Sequence, residues 1–183
     1  MFPITSNKEF SVSLCLRVES ERRFTLLSMT TKILFVCLGN ICRSPLAEGV
    51  FNHLAAQAGR AADFEVDSCG TGGWHAGEPP DPRSWAVAQK HGLTLSHRAR
   101  QFERSDFNNF DFIIAMDQSN KSDLLSFSNL KPEQAAKVKL LREWDSQANG
   151  DLDVPDPYYG GPEGFEVMYQ MIERSAKKLL ESL

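Results

Sequence analysis

The sequence predicts a single α/β domain built on a four-stranded parallel sheet with helices on both faces. Three observations carry that expectation. Four short apolar runs, at 32–38, 64–68, 110–116 and 136–141, have the composition of buried strands. Helix-patterned stretches lie between them, around 44–59, 82–91 and 117–127, and a further helix closes the chain. With 183 residues and 42% hydrophobic content the chain has enough apolar side chains for one core, and strands alternating with helices run parallel.

In chain order, residues 1–28 read as an N-terminal extension, because Ser and Thr are frequent, Arg and Glu alternate and no sustained apolar face emerges. The alternation in FSVSLCLRV (10–18) is that of a strand, while Glu9, Glu19 and Glu21 argue against a transit peptide. Met29 directly precedes the first strong strand, so an upstream start codon read into the protein is an alternative origin for the extension. The domain itself is assigned to 29–183.

KILFVCL (32–38) is a continuous apolar run of the buried-strand type. SPLAEGVFNHLAAQAG (44–59) follows as a helix, with Pro45 as first helical residue, Leu46, Val50, Leu54 and Ala58 on one face and Gly59 at its end. FEVDS (64–68), FDFIIAM (110–116) and AKVKLL (136–141) supply the other strands. In the last helix Phe165, Met168, Ile172 and Leu179 form a stripe. There is no internal repeat and no low-complexity segment.

Composition excludes several classes of function. A net charge of −4 lacks the broad basic footprint of a nucleic-acid binder. No apolar run is long enough to span a membrane and nothing resembles a secretory signal, which predicts a cytoplasmic protein. Cys15, Cys37, Cys42 and Cys69 are too few and too irregular for a disulfide framework, which fits a reducing compartment. Cys37 and Cys42 lack a second close Cys or His pair, and His53, His75, His91 and His97 are scattered, so neither a metal nor a cofactor is expected.

The chemistry concentrates in CLGNICRS (37–44), the loop between the first strand and the first helix, because ligands of open α/β sheets sit beyond the carboxyl ends of strands. Backbone N–H groups of a tight loop converge on an anion, and the start of the following helix adds its free amides. Gly39 and Asn40 tolerate the backbone angles such a loop needs, and Arg43 can fork onto two oxygens of a phosphate-like group. Gly-Lys-Ser/Thr is missing, which excludes a nucleotide P-loop. A cradle that binds a dianion also stabilises a thiolate at Cys37, so nucleophile and oxyanion site come from one segment, and the natural reaction is phosphoryl transfer to sulfur. The plainer reading makes Cys37 and Cys42 small buried hydrophobes and Arg43 a surface residue. A strand before, Gly-Asn inside, Ser-Pro after and a helix beyond weigh against it.

VCLGNICRSPLAEGVF (36–51) resembles the phosphate-binding signature of the low-molecular-weight protein tyrosine phosphatases. DSCGTGGWHAGEPPDPRS (67–84), HGLTLSHRARQ (91–101), DFIIAMDQSNKSDL (111–124) and DVPDPYYGGPEGFEVMYQMI (153–172) resemble further segments of that family in the same order, so the likeness spans 31–183. The resemblance implies that Cys37 is the nucleophile, Arg43 the phosphate clamp and Ser44 a hydrogen-bond donor to the thiolate. Leu38, Gly39, Ile41 and Cys42 complete the phosphate-binding loop, which Asn40, Ser68 and His97 hold in place. From the residues alone, Ser44 is equally a helix cap, Asn40 a turn residue and His97 a structural histidine. The loop DLDVPDPYYGGP (151–162) offers Asp151, Asp153 and Asp156 as general acid, and the resemblance selects Asp156, with Pro155 and Pro157 stiffening its backbone. Trp74 and Tyr158 are expected on the walls of a cleft deep enough to favour phosphotyrosine over phosphoserine, with exposed loop aromatics as the alternative. Asp117 and Arg98 are expected as structural partners.

The function so implied is a protein tyrosine phosphatase working through a cysteinyl-phosphate intermediate. An arsenate reductase of the same fold is one alternative, although only Cys69 follows Cys42 and the extra cysteine pair of such enzymes is missing. A silent phosphotyrosine-binding module is the other, against which Cys37, Arg43 and Asp156 are all present. Expected partners are phosphotyrosine proteins, a tyrosine kinase among them, with no nucleic acid and no membrane, and the chain is expected as a monomer or weak dimer. Cys42 is either packing beneath the loop or, as the resemblance implies, a thiol able to form a disulfide with Cys37.

Overall fold

The computed structural model describes residues 30–183. The expectations for residues 1–28, the strand FSVSLCLRV included, fall outside the described residues. From Thr31 the chain runs β1 (Thr31–Cys37), α1 (Arg43–Gln57), a 3₁₀ turn (Ala61–Asp63), β2 (Phe64–Gly70), α2 (Pro82–Lys90), α3 (Asp106–Asn109) and β3 (Phe112–Ala115). It continues through α4 (Gln118–Leu125), α5 (Pro132–Ala135), β4 (Val138–Leu140), a second 3₁₀ turn (Leu141–Trp144) and α6 (Pro162–Ser182). The strands form one sheet in the order β2-β1-β3-β4, every neighbouring pair parallel.

Both faces of that sheet are covered, which is why β1 is apolar and buried from Ile33 to Cys37. Ile33 and Phe35 point into a core shared with Leu46, Val50 and Phe51 of α1 and Phe165, Met168 and Ile172 of α6. Leu34 and Val36 point the other way, onto Phe107 of α3 and Leu124 of α4. Alternate residues of one strand thus feed two cores. No helix among the described residues is long and apolar enough to cross a membrane.

α1 differs in detail from the sequence expectation. It begins at Arg43, so Pro45 is its third residue rather than its first. Amides of the first turn have no intrahelical acceptor, and proline loses nothing there. Ala58 is exposed and ends the helix; the buried face is Leu46, Ala47, Val50, Phe51 and Ala55. Gly59 follows with φ of 69° and turns the chain away.

The sheet order fixes where a ligand can sit. From β1 the chain steps to β2 on one side and then crosses to β3 on the other, so the carboxyl ends of β1 and β3 flank a switch point. Cys37 closes β1 in register with Gly70, and Val36 lies beside Ala115 of β3. Backbone bonds draw two further segments to the same end: Val154 N–H donates to Met116 O (2.8 Å), and Thr71 N–H donates to Cys37 O (2.9 Å).

Candidate active site

The loop between β1 and α1 is built around a buried asparagine. Asn40 adopts φ of 57°, a conformation that asparagine tolerates better than most residues, and its side chain is wholly committed. Its Nδ2 donates to Ser44 Oγ (2.9 Å) and Ser68 Oγ (3.0 Å), while Oδ1 accepts from the Arg100 backbone N–H (2.8 Å). The amide orientation follows from that backbone donor, so His97 Nε2, 2.7 Å from Oδ1, carries the hydrogen between them. His97 Nδ1 in turn faces Glu48 Oε2 at 3.2 Å, and Ser68 Oγ donates to the same oxygen at 2.8 Å. One network therefore ties the loop to β2, to α1 and to segment 97–100.

Cys37, at the end of β1, receives the product of this order. Asn40 N–H donates to Cys37 Sγ at 3.2 Å, and Ser44 Oγ lies 3.0 Å from the sulfur. Because Asn40 Nδ2 occupies a lone pair of Ser44 Oγ, the serine hydrogen is left for Sγ or for Cys69 O, 3.2 Å away. α1 makes no side-chain cap bond and has no acid in its first turn, so its positive end serves the loop alone.

Arg43 is buried and held by two carboxylates from other segments. Nη1 is 2.5 Å from Asp117 Oδ2 and 3.2 Å from Val154 O, and Nη2 is 2.5 Å from Asp156 Oδ2. Its buried Nε has no hydrogen-bond partner among the described residues. Burial opposes the charge of the guanidinium, but Cys37, Asp156 and Asp117 outweigh that cost and keep it firmly protonated. Burial first, then the charges of Asp81, Cys37 and Asp156, push the Cys42 thiol up to about 12. At neutral pH Cys42 is a thiol, which leaves Cys37 as the loop's candidate nucleophile.

A cleft of about 210 Å³ opens over this arrangement, lined by Cys37 and Arg43 at its base and by Trp74, Asp156 and Tyr158 among its walls. Leu38, Gly39, Ile41 and Cys42 also line it, whereas the network of Asn40, Ser44, Ser68 and His97 stands behind the loop. Arg83 braces the acid-bearing segment, donating to Tyr158 O (3.1 Å) with its guanidinium 5.5 Å from the Tyr158 ring centre. Asp117, expected as a structural partner, is the second carboxylate on Arg43 and also caps α4. Arg98 is exposed and takes no part in the ion pairs of the described residues; Arg100, two positions on, joins Asp67 and Asp106 instead. His75 and Tyr159 line the cleft, and Glu48 anchors the network, without having been singled out in the sequence. Among the described residues Glu48, Asp67 and His97 bring metal-ligand atoms within 4.8 Å of one another, but Ser68, Arg100 and Asn40 already engage these side chains.

A parallel sheet with a cysteine at one strand end, a buried arginine six residues on and a carboxylic acid reaching in from a second loop defines a class: an α/β protein whose thiol, guanidinium and carboxylic acid meet in one cleft at the carboxyl edge of the sheet. The comparisons with known proteins narrow it. Residues 32–183 match the family model described as low molecular weight phosphotyrosine protein phosphatase. A low molecular weight protein-tyrosine-phosphatase of Streptomyces coelicolor is 49% identical over 158 residues, covering 85% of this chain and 94% of that protein. The crystal structure of a protein tyrosine phosphatase from Entamoeba histolytica superposes with a TM-score of 0.79 at 35% identity, over 84% of this chain and 96% of the other. A Drosophila arginine phosphatase superposes with a TM-score of 0.77 at 36% identity, over 83% and 97%. The chain belongs to the low molecular weight phosphotyrosine protein phosphatase family.

Proposed function

We propose that this protein hydrolyses phosphotyrosine through a cysteinyl-phosphate intermediate, with Cys37 as nucleophile, Arg43 as phosphate clamp and Asp156 as general acid. The observation that carries the reading is that one guanidinium, Arg43, meets the Asp156 carboxylate at 2.5 Å beside Cys37 in a single cleft. The Cys37 thiolate attacks phosphorus as the bond to the phenolic oxygen breaks, and Asp156 delivers its proton to the departing oxygen. Arg43 and the loop amides carry the charge of the equatorial oxygens. Water then attacks the phosphocysteine, Asp156 takes its proton back, and inorganic phosphate leaves the restored thiolate.

Trp74 and Tyr158 supply flat apolar faces at the cleft, which suits an aryl ester better than the shorter side chain of phosphoserine. The arginine phosphatase among the structural neighbours favours a second reading, phosphoarginine, since a guanidinium also stacks on aromatic faces. Arsenate reduction finds less support: the third described cysteine, Cys69, is fully buried, and burial pushes its thiol well up. The partners in this reading are phosphotyrosine proteins, tyrosine kinases among them, met in the cytoplasm by a monomer or weak dimer. Residues 1–28 stand outside the catalytic domain.

The deciding experiment is turnover on phosphotyrosine, phosphoserine and phosphoarginine peptides, with vanadate as inhibitor. Vanadate-sensitive hydrolysis of the phosphotyrosine peptide alone is expected. Equal hydrolysis of the phosphoserine peptide overturns the specificity, and faster release from phosphoarginine favours the second reading.

A further inference from the structure

Gly72 is glycine for no reason of its own backbone. Its φ lies outside the left-handed region, and its N–H donates to Leu38 O at 2.9 Å, a bond that any residue except proline can make. What needs the missing side chain is Trp74. A Cβ on Gly72 would stand 2.1, 2.2 and 2.7 Å from Cζ3, Cη2 and Cε3 of the indole, and these are its three nearest atoms. Carbon atoms in contact sit about 3.5–4.0 Å apart, so the indole occupies the space a side chain would fill.

This seat matters because little else holds the ring. Trp74 is 65% exposed, so the core does not fix its rotamer. The seat itself is fixed to the phosphate loop: Thr71 N–H donates to Cys37 O and Gly72 N–H to Leu38 O, both at 2.9 Å. Gly72 thus transmits the position of the loop to the aromatic wall.

We infer that Gly72 is a specificity-determining position that seats the Trp74 indole on the wall of the cleft that holds Cys37, where the ring of an aryl phosphate would lie against it. The inference rests on the phosphatase reading and deepens it. The substitution Gly72→Ala keeps both backbone bonds and forces only the exposed ring to swing, so the domain stays folded.

The expected result for Gly72→Ala is a KM for an aryl phosphate raised about 3–10-fold with kcat unchanged, the size of an aromatic contact. The KM for acetyl phosphate, which has no ring to stack, stays as it was. In a Trp74→Ala background, Gly72→Ala adds nothing further. A readout apart from activity is acrylamide quenching of Trp74 in a Trp85→Phe, Trp144→Phe protein, which Gly72→Ala should increase. Loss of kcat on both esters, multiplying effects of the two substitutions, or unchanged quenching would each overturn the inference. A wild-type protein inert toward both esters would overturn the phosphatase reading, and quenching alone would then decide whether Gly72 seats Trp74.

Discussion

Arg43 Nη2 and Asp156 Oδ2 stand 2.5 Å apart, so the arginine proposed to grip phosphate also grips the acid proposed to protonate the leaving group. The two roles exclude each other at that nitrogen. A phosphate dianion that takes Nη2, together with Nε, which has no partner among the described residues, displaces the Asp156 carboxylate and releases it to accept a proton. Asp156→Asn should therefore have two opposite effects. Its kcat on phenolic esters with poor leaving groups falls about 10²–10⁴-fold, and far less where the leaving group is already acidic. Phosphate or vanadate binds about 2–5-fold tighter, the worth of a half-exposed ion pair removed from competition. Equal kcat losses on both ester types, measured in steady state, would make Asp156 structural.

Cys37→Ser should abolish turnover yet leave phosphate affinity measurable, because Arg43 and the loop amides remain. Arg43→Lys should fail in both respects: a point charge cannot fork onto two oxygens, nor reach Asp117 and Asp156 together. Isothermal titration with phosphate beside a turnover assay separates the two variants. More than about a thousandth of normal turnover in Cys37→Ser would remove the covalent intermediate from the mechanism.

Asn40 contributes a backbone angle and four side-chain bonds, and two substitutions separate them. Asn40→Gly keeps the angle and loses the bonds, leaving buried groups of Ser44, Ser68, His97 and Arg100 short of partners, a loss of roughly 2–4 kcal/mol. Asn40→Ala adds about 1 kcal/mol of left-handed strain. Denaturant unfolding should rank wild type above glycine above alanine, with kcat falling in the same order. Alanine as stable as glycine would mean that the loop relaxes out of the left-handed conformation.

The loop is legible in the sequence because its proposed nucleophile and clamp and its turn residues lie within eight consecutive positions, between a strand and a helix that each announce themselves. The pieces that come from elsewhere were harder to see. Asp117 meets Arg43 only because β3 lies beside β1, and strand order is not written in either segment. Glu48 has the look of a surface acid on an amphipathic helix until Ser68 and His97 are brought to it. Between 91 and 101 the backbone is irregular, so no period tells which of Arg98 and Arg100 turns inward. α3 and α5, of four residues each, are too short to show a helical repeat.

Cys42 sits in the same cleft as Cys37 as a neutral thiol, and that state governs what it can do under oxidation. Peroxide converts the Cys37 thiolate to a sulfenic acid, with hydroxide as the leaving group, and further oxidation is irreversible unless another thiolate attacks first. Attack by Cys42 sulfur would form the disulfide and expel the sulfenic oxygen as water, after which dithiothreitol restores both thiols. Once Cys37 is a neutral sulfenic acid its charge no longer acts on Cys42, but burial and the charges of Asp81 and Asp156 still raise the thiol, so its thiolate fraction rises about tenfold for each pH unit between 6 and 8. Capture should accelerate by the same factor. Wild type treated with peroxide at pH 8.5 is therefore expected to recover fully on reduction, and at pH 6 only in part. Cys42→Ser should lose activity permanently at both. Equal recovery of the two proteins at pH 8.5 would leave Cys42 as packing beneath the loop.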